Sequence, residues 1–265
     1  MTITSQQQRW LEVIPSRRAR RSFQDEPSSP DALDTLDACT RDFRPFGDVA
    51  RVVLVPQVPQ RLFMGIAGSY GGVSGASSAL VFVGVDEERD VQAAVGYTGE
   101  GLVLEATALG LDTCWVGGLF STKHAVLLGD VAEGERVYAV SPVGYAVERI
   151  STKERIVFGM GHPKFRRELG EIAPGVETWP TWAHAGVEAA RIAPSAMNRQ
   201  PWRFRLDADG VVVSVAEGAD IPRVSKRLDC GIAMLHFELG ARAAGADGVW
   251  EFLEAPDVAR WLPVG

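Results

Sequence analysis

The sequence contains few cysteines and no long apolar segment. Cys39, Cys114 and Cys230 are odd in number, far apart and in no Cys-x-x-Cys pair, which argues against a disulfide framework or a structural zinc site and fits a reducing compartment. The longest unbroken apolar run, ALVFVGV at 79–85, is far shorter than the ~20 residues of a membrane span. The polar start, MTITSQQQRW, does not resemble a signal peptide. We therefore expect a cytoplasmic protein with no membrane partner.

A broad basic surface is also absent. The 265 residues carry a formal net charge of −7 and the sequence pI is about 5.2, which disfavours general nucleic-acid binding. Positive charge is concentrated instead in PSRRARRSF (15–23), RISTKER (149–155) and HPKFRREL (162–169). Such clusters favour a small anionic ligand, but a solvated helix face, an ion-pair cluster or a docking patch has the same composition.

Several common catalytic motifs are missing. The sequence has no Gly-x-Gly-x-x-Gly after a predicted strand, no Walker A lysine, no His-Glu-x-x-His and no Gly-x-Ser-x-Gly. The four histidines, at 124, 162, 184 and 236, lack metal-ligand spacing, and no paired-carboxylate motif is present. We therefore predict no metal ion and name no catalytic residue, while a Ser-His-Asp site assembled from distant segments stays open as an alternative.

What is present is a mixture of helical and strand patterns. Apolar periodicity predicts helices over about 3–14, 30–41, 91–111, 121–128, 181–192 and 229–245. β-branched runs predict the strands ARVVLVPQV, ALVFVGV and RVYAVSPVGYA, and WRFRLDADGVVVSVA predicts a hairpin around Asp-Gly. Asp229 is interpreted as the N-cap of the last helix. These elements predict an α+β fold with mainly antiparallel sheets packed against long core helices.

The sequence also contains a weak internal repeat, which is called the sequence echo below. Aligning 96–115 with 231–250 gives seven identities in 20 positions, where roughly one is expected by chance. A second echo pairs RPF (44–46) with QPW (200–202). We interpret the chain as two related halves, 1–160 and 161–265, fused into one compact unit.

Two segments far apart in the sequence fit one ligand. RRARRSF offers guanidinium groups, which bind phosphate through paired charge-assisted hydrogen bonds. APSAMNRQPW offers a rigid turn in which two prolines restrict the backbone, while Ser195 and Asn198 supply short donors and acceptors for a planar polar ring. A phosphate at one end and a heteroaromatic ring at the other describe a nucleotide-like cofactor.

These segments resemble a known family. RRARRSF is similar to the RRSxRxF segment of the flavin (FMN)-dependent nitroreductases, and APSAMNRQPWRF is similar to their APSxxNxQPW segment. ALGLDTCWVGGLF (108–120) and VSPVGYA (140–146) resemble their central helix with its glycine turn and a later strand. Ordinary members build two FMN sites at a homodimer interface. This chain resembles the single-chain, internally duplicated branch, which implies a nitroreductase-like fold in the form of a fused pseudo-dimer.

The resemblance implies particular site residues. Arg17 and Arg21, helped by Arg18, would hold the FMN phosphate, although Ala19 stands where the family usually has Ser. Pro194, Ser195 and Asn198 would line the flavin ring, with Ala196 contacting it through its backbone. The turn formed by Val116, Gly117 and Gly118 would bring a backbone N–H to flavin N5. Further candidates are Arg155 or Lys153 at the phosphate and Tyr70 on the substrate side.

Other residues near these motifs are assigned to the structure. Trp202, Trp115 and Trp250 are predicted to be core residues, and Cys114 is predicted to be a buried, inert thiol.

The resemblance also implies an activity and a stoichiometry. Hydride would pass from NAD(P)H through flavin N5 to a nitroaromatic, a quinone or a similar small-molecule acceptor. The first half has ACTRDFRPFGD where a second Pro-Ser-Asn turn would stand, so one composite site and one FMN per chain are expected. A monomer would then complete its own site, with further oligomerisation possible. The alternative is a flavin-binding sensor or carrier, or a degenerate nitroreductase without turnover.

Overall fold

The computed structural model describes residues 3–64, 72–148, 165–220 and 223–264. Its helices are α1 Ser5–Val13, α2 Pro30–Asp42, α3 Val91–Ala108, α4 Thr122–Leu128, α5 Leu169–Ile172, α6 Thr181–Arg191 and α7 Lys226–Ala243. Its strands are β1 Ala50–Val55, β2 Ser78–Val85, β3 Asp112–Thr113, β4 Glu135–Gly144, β5 Trp202–Leu206, β6 Val211–Val215, β7 Asp247–Phe252 and β8 Asp257–Val264. No helix in these ranges is long and apolar enough to cross a bilayer.

Two four-stranded antiparallel sheets have the same topology. The strand orders are β1-β2-β4-β3 and β5-β6-β8-β7, so in each sheet the first hairpin is followed by a crossover to the edge. Each sheet also has a register shift in its second strand, between Phe82 and Val83 and between Val213 and Ser214. The predicted α+β class with antiparallel sheets is confirmed.

The long helices α3 and α7 lie between the two sheets and pack against each other. Each has 18 residues and is buried on nearly every side, which is expected of a helix without a polar face. α3 ends at Ala108, earlier than predicted, because Gly110 has a φ of +80° and stops the helix.

The backbones of α3 and α7 approach each other closely at two glycines. A Cβ on Gly96 would lie 2.1 Å from the Leu228 carbonyl oxygen, and one on Gly231 would lie 2.0 Å from the Ala93 carbonyl oxygen. The sequence echo pairs Gly96 with Gly231 and, extended by three residues, Ala93 with Leu228, so the two contacts are reciprocal. Reciprocal contacts are the signature of a two-fold relation between two surfaces.

Tryptophan N–H groups satisfy the buried carboxylates of this helix pair. Trp115 Nε1 donates to Glu100 at 2.7 Å, and Trp250 Nε1 donates to Glu238 at 3.0 Å. Both tryptophans are partly buried against the core, and Trp202, at the start of β5, is fully buried. Since buried carboxylates are costly without partners, these bonds place the two tryptophans where they were predicted.

The predicted N-cap of α7 is wrong. The helix begins three residues earlier, and the N-cap is Ser225, whose Oγ accepts from the Arg227 N–H at 3.1 Å. Asp229 therefore lies inside the first turn and is only 2% exposed. Its carboxylate accepts hydrogen bonds from Ala196 and Arg199, in the segment before β5.

Substituting Gly231→Ala should destabilise the protein by about 3 kcal/mol or more, because the new methyl group would overlap the Ala93 carbonyl in a packed helix crossing. Gly170→Ala is the control, since nothing lies within 4 Å of its Cβ position. Urea unfolding of the two variants and the wild type measures the difference. Equal stability of both variants would contradict the close crossing.

Candidate functional site

The early arginine segment and the Pro-Ser-Asn turn line one cleft. Its empty volume, including the part open to solvent, is about 610 Å³. The lining residues are Arg17, Ala19, Arg21, Cys114, Trp115, Gly117, Ala139, Pro194, Ser195, Ala196, Met197, Val224, Leu228, Asp229 and Ile232. Both halves of the chain therefore contribute walls to this cleft.

The arginine segment is held in place by backbone pairing. Ala19 forms a parallel bridge with Thr113 of β3, and the Arg20 N–H donates to the Thr113 carbonyl at 2.8 Å. Arg17 follows the end of α1 and is 8% exposed. No hydrogen bond from its guanidinium group is formed within the described ranges, and burial lowers the pKa of this group despite the opposing field of Glu100. An anionic ligand in the cleft would compensate this buried cation.

The Pro-Ser-Asn turn is a strained connection between α6 and β5. The three residues Met197, Asn198 and Gln200 have φ angles of +49°, +53° and +48°, a region that residues other than glycine seldom adopt. The Ser195 hydroxyl oxygen accepts from the Gln200 N–H at 2.9 Å, which closes the turn. Backbone strain of this kind persists only where surrounding contacts hold it, and it clusters at binding sites.

Asp229 stabilises this turn through hydrogen bonds to two of its residues. Its carboxylate accepts from the Ala196 N–H at 3.1 Å and from Arg199 Nε at 2.7 Å. Burial raises its pKa to about 6, although the pairing with Arg199 acts in the opposite direction. Sequence reasoning missed this role because a carboxylate in the first turn of a helix is indistinguishable from a capping residue.

Several predicted site residues lie outside the lining of the cleft. The Arg18 guanidinium folds back onto the Pro15 and Arg17 carbonyls at 2.6 and 2.8 Å. Asn198 Nδ2 donates to the Phe165 carbonyl at 2.9 Å, and its Oδ1 accepts from Arg166. The structure therefore gives Arg18 and Asn198 supporting contacts behind the cleft wall. Tyr70, Lys153 and Arg155 lie outside the described residues.

The three residues of the glycine turn, Val116 to Gly118, have different surroundings. Val116 is 4% exposed, and its N–H donates to the Val140 carbonyl at 2.9 Å, so it anchors the turn to β4. Gly117 lines the cleft, whereas Gly118 does not. Neither glycine N–H has a hydrogen-bond partner among the described residues. Of the three residues, Gly117 is therefore the one whose N–H is available to a ligand in the cleft.

Apolar residues that sequence reasoning did not assign to the site form the rest of the lining. Leu228 and Ile232 come from α7, Val224 precedes it, and Met197 is 62% exposed at the turn. Trp115 also lines the cleft and stacks on Phe82 with ring centroids 4.2 Å apart. Cys114 is 2% exposed, in agreement with the buried thiol that was predicted. The cleft thus has a cationic end and a largely apolar body, which suits an amphipathic, anionic ligand.

The pseudo-equivalent region of the other half is filled. The sequence echo pairs Ile232 of the cleft with Tyr97, and the Tyr97 ring packs between Phe43 and Phe46 at centroid distances of 6.1 and 5.1 Å. Phe46 also contacts Phe252 at 5.0 Å. α2 ends at Asp42, three residues before Pro45, and α6 ends at Arg191, three residues before Pro194. Aromatic side chains therefore occupy the place of a second cleft.

Comparison with known proteins decides the family. Residues 10–241 match the family described as "Putative TM nitroreductase". The chain belongs to this nitroreductase family. This membership supports a general oxidoreductase role.

Solved structures include similar folds. A nitroreductase of Thermotoga maritima is 21% identical with a TM-score of 0.63, and the alignment covers 96% of this chain and 93% of that one. A nitroreductase of Bacteroides fragilis with bound FMN is 17% identical with a TM-score of 0.44, covering 54% and 90%. A Clostridium novyi family protein is 19% identical with a TM-score of 0.44, covering 52% and 86%. No curated protein matches the chain.

Asp229 predicts a pH dependence of stability. Because its pKa is raised to about 6 in the folded protein from 3.8, the folded state binds the proton more tightly than the unfolded state. The free energy of unfolding should therefore fall, by on the order of 2 kcal/mol from this group, as pH rises from about 4 to about 6. Asp229→Asn should remove this component, which urea unfolding at several pH values measures. Parallel curves for variant and wild type would contradict the assignment.

Proposed function

We propose that the protein is an FMN-dependent oxidoreductase of the nitroreductase type, which transfers hydride from NAD(P)H to a nitroaromatic, a quinone or a similar acceptor. The observation that carries this proposal is the single cleft lined by Arg17 and Arg21 at one end and by Pro194, Ser195 and Ala196 along its side. Family membership supports the same conclusion.

The residues of the cleft fit the proposed cofactor. Arg17 is buried without a hydrogen-bond partner in the described ranges and would bind the phosphate together with Arg21. The Ser195 hydroxyl accepts one bond within the turn and still has a proton to donate to the ring edge. The Ala196 N–H is taken by Asp229, so a contact from Ala196 would use its carbonyl oxygen or its methyl group.

The chain's own contribution would be binding, orientation and electrostatics. When bound, FMN would supply the redox chemistry, as cofactors do in flavoenzymes. The free N–H group of Gly117 would donate to the polar edge of the ring, while Trp115 and Leu228 would exclude water from its face. No side chain is assigned a proton-transfer role, since among the described residues no His lines the cleft and its one carboxylate, Asp229, holds the turn.

One cofactor per chain is proposed. The open cleft takes walls from both halves, and its counterpart is occupied by Phe43, Phe46 and Tyr97. An ancestral duplication that kept one of two interface sites would produce this arrangement. A monomer would then need no partner chain to complete the site.

A second candidate function is a flavin-binding sensor or carrier without turnover. Ala19 favours it, because this residue lines the cleft where the family usually supplies a serine hydroxyl. Without that hydroxyl contact, the cleft would bind the FMN phosphate more weakly.

The double substitution Arg17→Ala plus Arg21→Ala should weaken FMN binding at least about 100-fold, because two charge-assisted contacts to the phosphate are lost. Arg41→Ala plus Arg44→Ala is a charge-matched control, since both of these arginines form i,i+4 pairs on the surface. Flavin fluorescence titration measures both variants and the wild type, which should bind about one FMN per chain. If the wild-type protein does not bind added FMN in this titration, the proposal is wrong.

Turnover separates the two candidate functions. NAD(P)H added to the FMN-loaded protein without oxygen should bleach the flavin absorbance, and a quinone or nitroaromatic acceptor should restore it. Stopped-flow absorbance follows both half-reactions. Bound flavin that NAD(P)H leaves oxidised, while dithionite reduces it, would favour the sensor or carrier.

A further inference from the structure

Four guanidinium groups from three distant segments come within electrostatic reach of one another, and one of them lines the cleft. They belong to Arg17, Arg18, Arg166 and Arg191, which lie after α1, before α5 and at the end of α6. The pKa of Arg166 is lowered to about 10, first by burial and then by the neighbouring charges of Arg17, Arg191 and Arg18, in that order. In the described part of the chain, no carboxylate forms an ion pair with any of the four.

Arg17 is buried, Arg166 and Arg191 are partly buried and Arg18 is exposed, and this cluster lacks the carboxylate partners that some other partly buried arginines have. Arg199 and Arg242, for example, pair with Asp229 and Glu238 at 2.7 and 2.8 Å. Arg191 Nε is buried without a hydrogen-bond partner, and Arg17 is 8% exposed. Buried like charges repel one another strongly at low dielectric, so a multiply charged anion would lower the energy of this region.

Arg166 connects the cluster to the turn of the cleft. Its guanidinium group donates to Asn198 Oδ1 and, at 3.4 Å, to the Ile192 carbonyl. The amide of Asn198 donates in return to the Phe165 carbonyl at 2.9 Å. Residues 165 and 166 therefore hydrogen-bond to both the oxygen and the nitrogen of the Asn198 side-chain amide. A shift of Arg166 would move the strained turn that lines the cleft.

We propose that Arg166 is a phosphate-binding and positioning residue, which shares a phosphate monoester dianion with Arg17 and holds the Asn198 turn at the same time. The inference rests on the proposed function and assigns this phosphate to FMN. Arg166 would thereby make the geometry of the turn depend on whether the phosphate is bound. Sequence motifs do not reveal it, because RRARRSF and HPKFRREL are separated by most of the first half.

The test compares FMN with riboflavin, which lacks the phosphate. Arg166→Ala should weaken FMN binding about ten-fold more than it weakens riboflavin binding, because the difference is the cost of one charge-assisted contact to the phosphate, whereas movement of the turn affects both flavins. Arg166→Lys should recover part of the loss, because it keeps the charge but not the planar fork. Arg167→Ala is the matched control, since its side chain pairs with Glu171 at 3.5 Å. Flavin fluorescence titration measures all four proteins.

Each outcome decides the proposal. An equal loss for FMN and riboflavin would make Arg166 a purely structural support of the turn, and unchanged binding of both would remove its role altogether. Unchanged FMN binding with weaker NADPH and normal NADH binding would assign the phosphate to the nicotinamide nucleotide and overturn the proposal. If wild-type protein binds no flavin, the proposed function fails and the assignment of this phosphate to FMN fails with it. Thermal stabilisation by inorganic phosphate that depends on Arg166 but not Arg167 would then still identify the anion site.

Discussion

The close crossing of α3 and α7 is the constraint on which the rest of the structure depends. At Gly96 and Gly231 the absence of a side chain lets each helix reach the other's backbone carbonyl, which brings both sheets onto one core. The same crossing sets the distance between the first-half segments at β3 and the second-half turn before β5. The cleft lies between these elements, so its width depends on the crossing of α3 and α7.

The site combines a strained turn with a buried carboxylate that holds it. Departures from ordinary backbone angles at Met197, Asn198 and Gln200 need external support, and Asp229 supplies it through the Ala196 N–H and Arg199. This support is costly, since burial raises the pKa of the carboxyl group. Proteins that keep such a costly contact generally use the geometry it maintains, and here that geometry lines the cleft that Arg17 and Arg21 also line.

The two halves differ most where the symmetry would create a second cleft. The turn after α6 lines the open cleft, whereas Phe43 and Phe46, which follow α2, fill the space around Tyr97. Aromatic packing of this kind stabilises a core but excludes a ligand. The asymmetry is thus local: similar helices and sheets carry one open and one filled region.

Much of this architecture could be predicted from local patterns. Apolar periodicity and β-branched runs determined the helices and strands within a few residues, and the echo around Gly96 and Gly231 indicated two related halves. The motif segments determined by themselves that Arg17, Arg21 and Ser195 are candidate ligand contacts, because their chemistry is local. Only the tertiary structure decided that Asp229 holds the turn, that Arg18 and Asn198 lie behind the wall, and that Arg166 joins the cationic cluster. These roles depend on distances between segments remote in sequence, and such distances are set by helix packing, which no local pattern encodes.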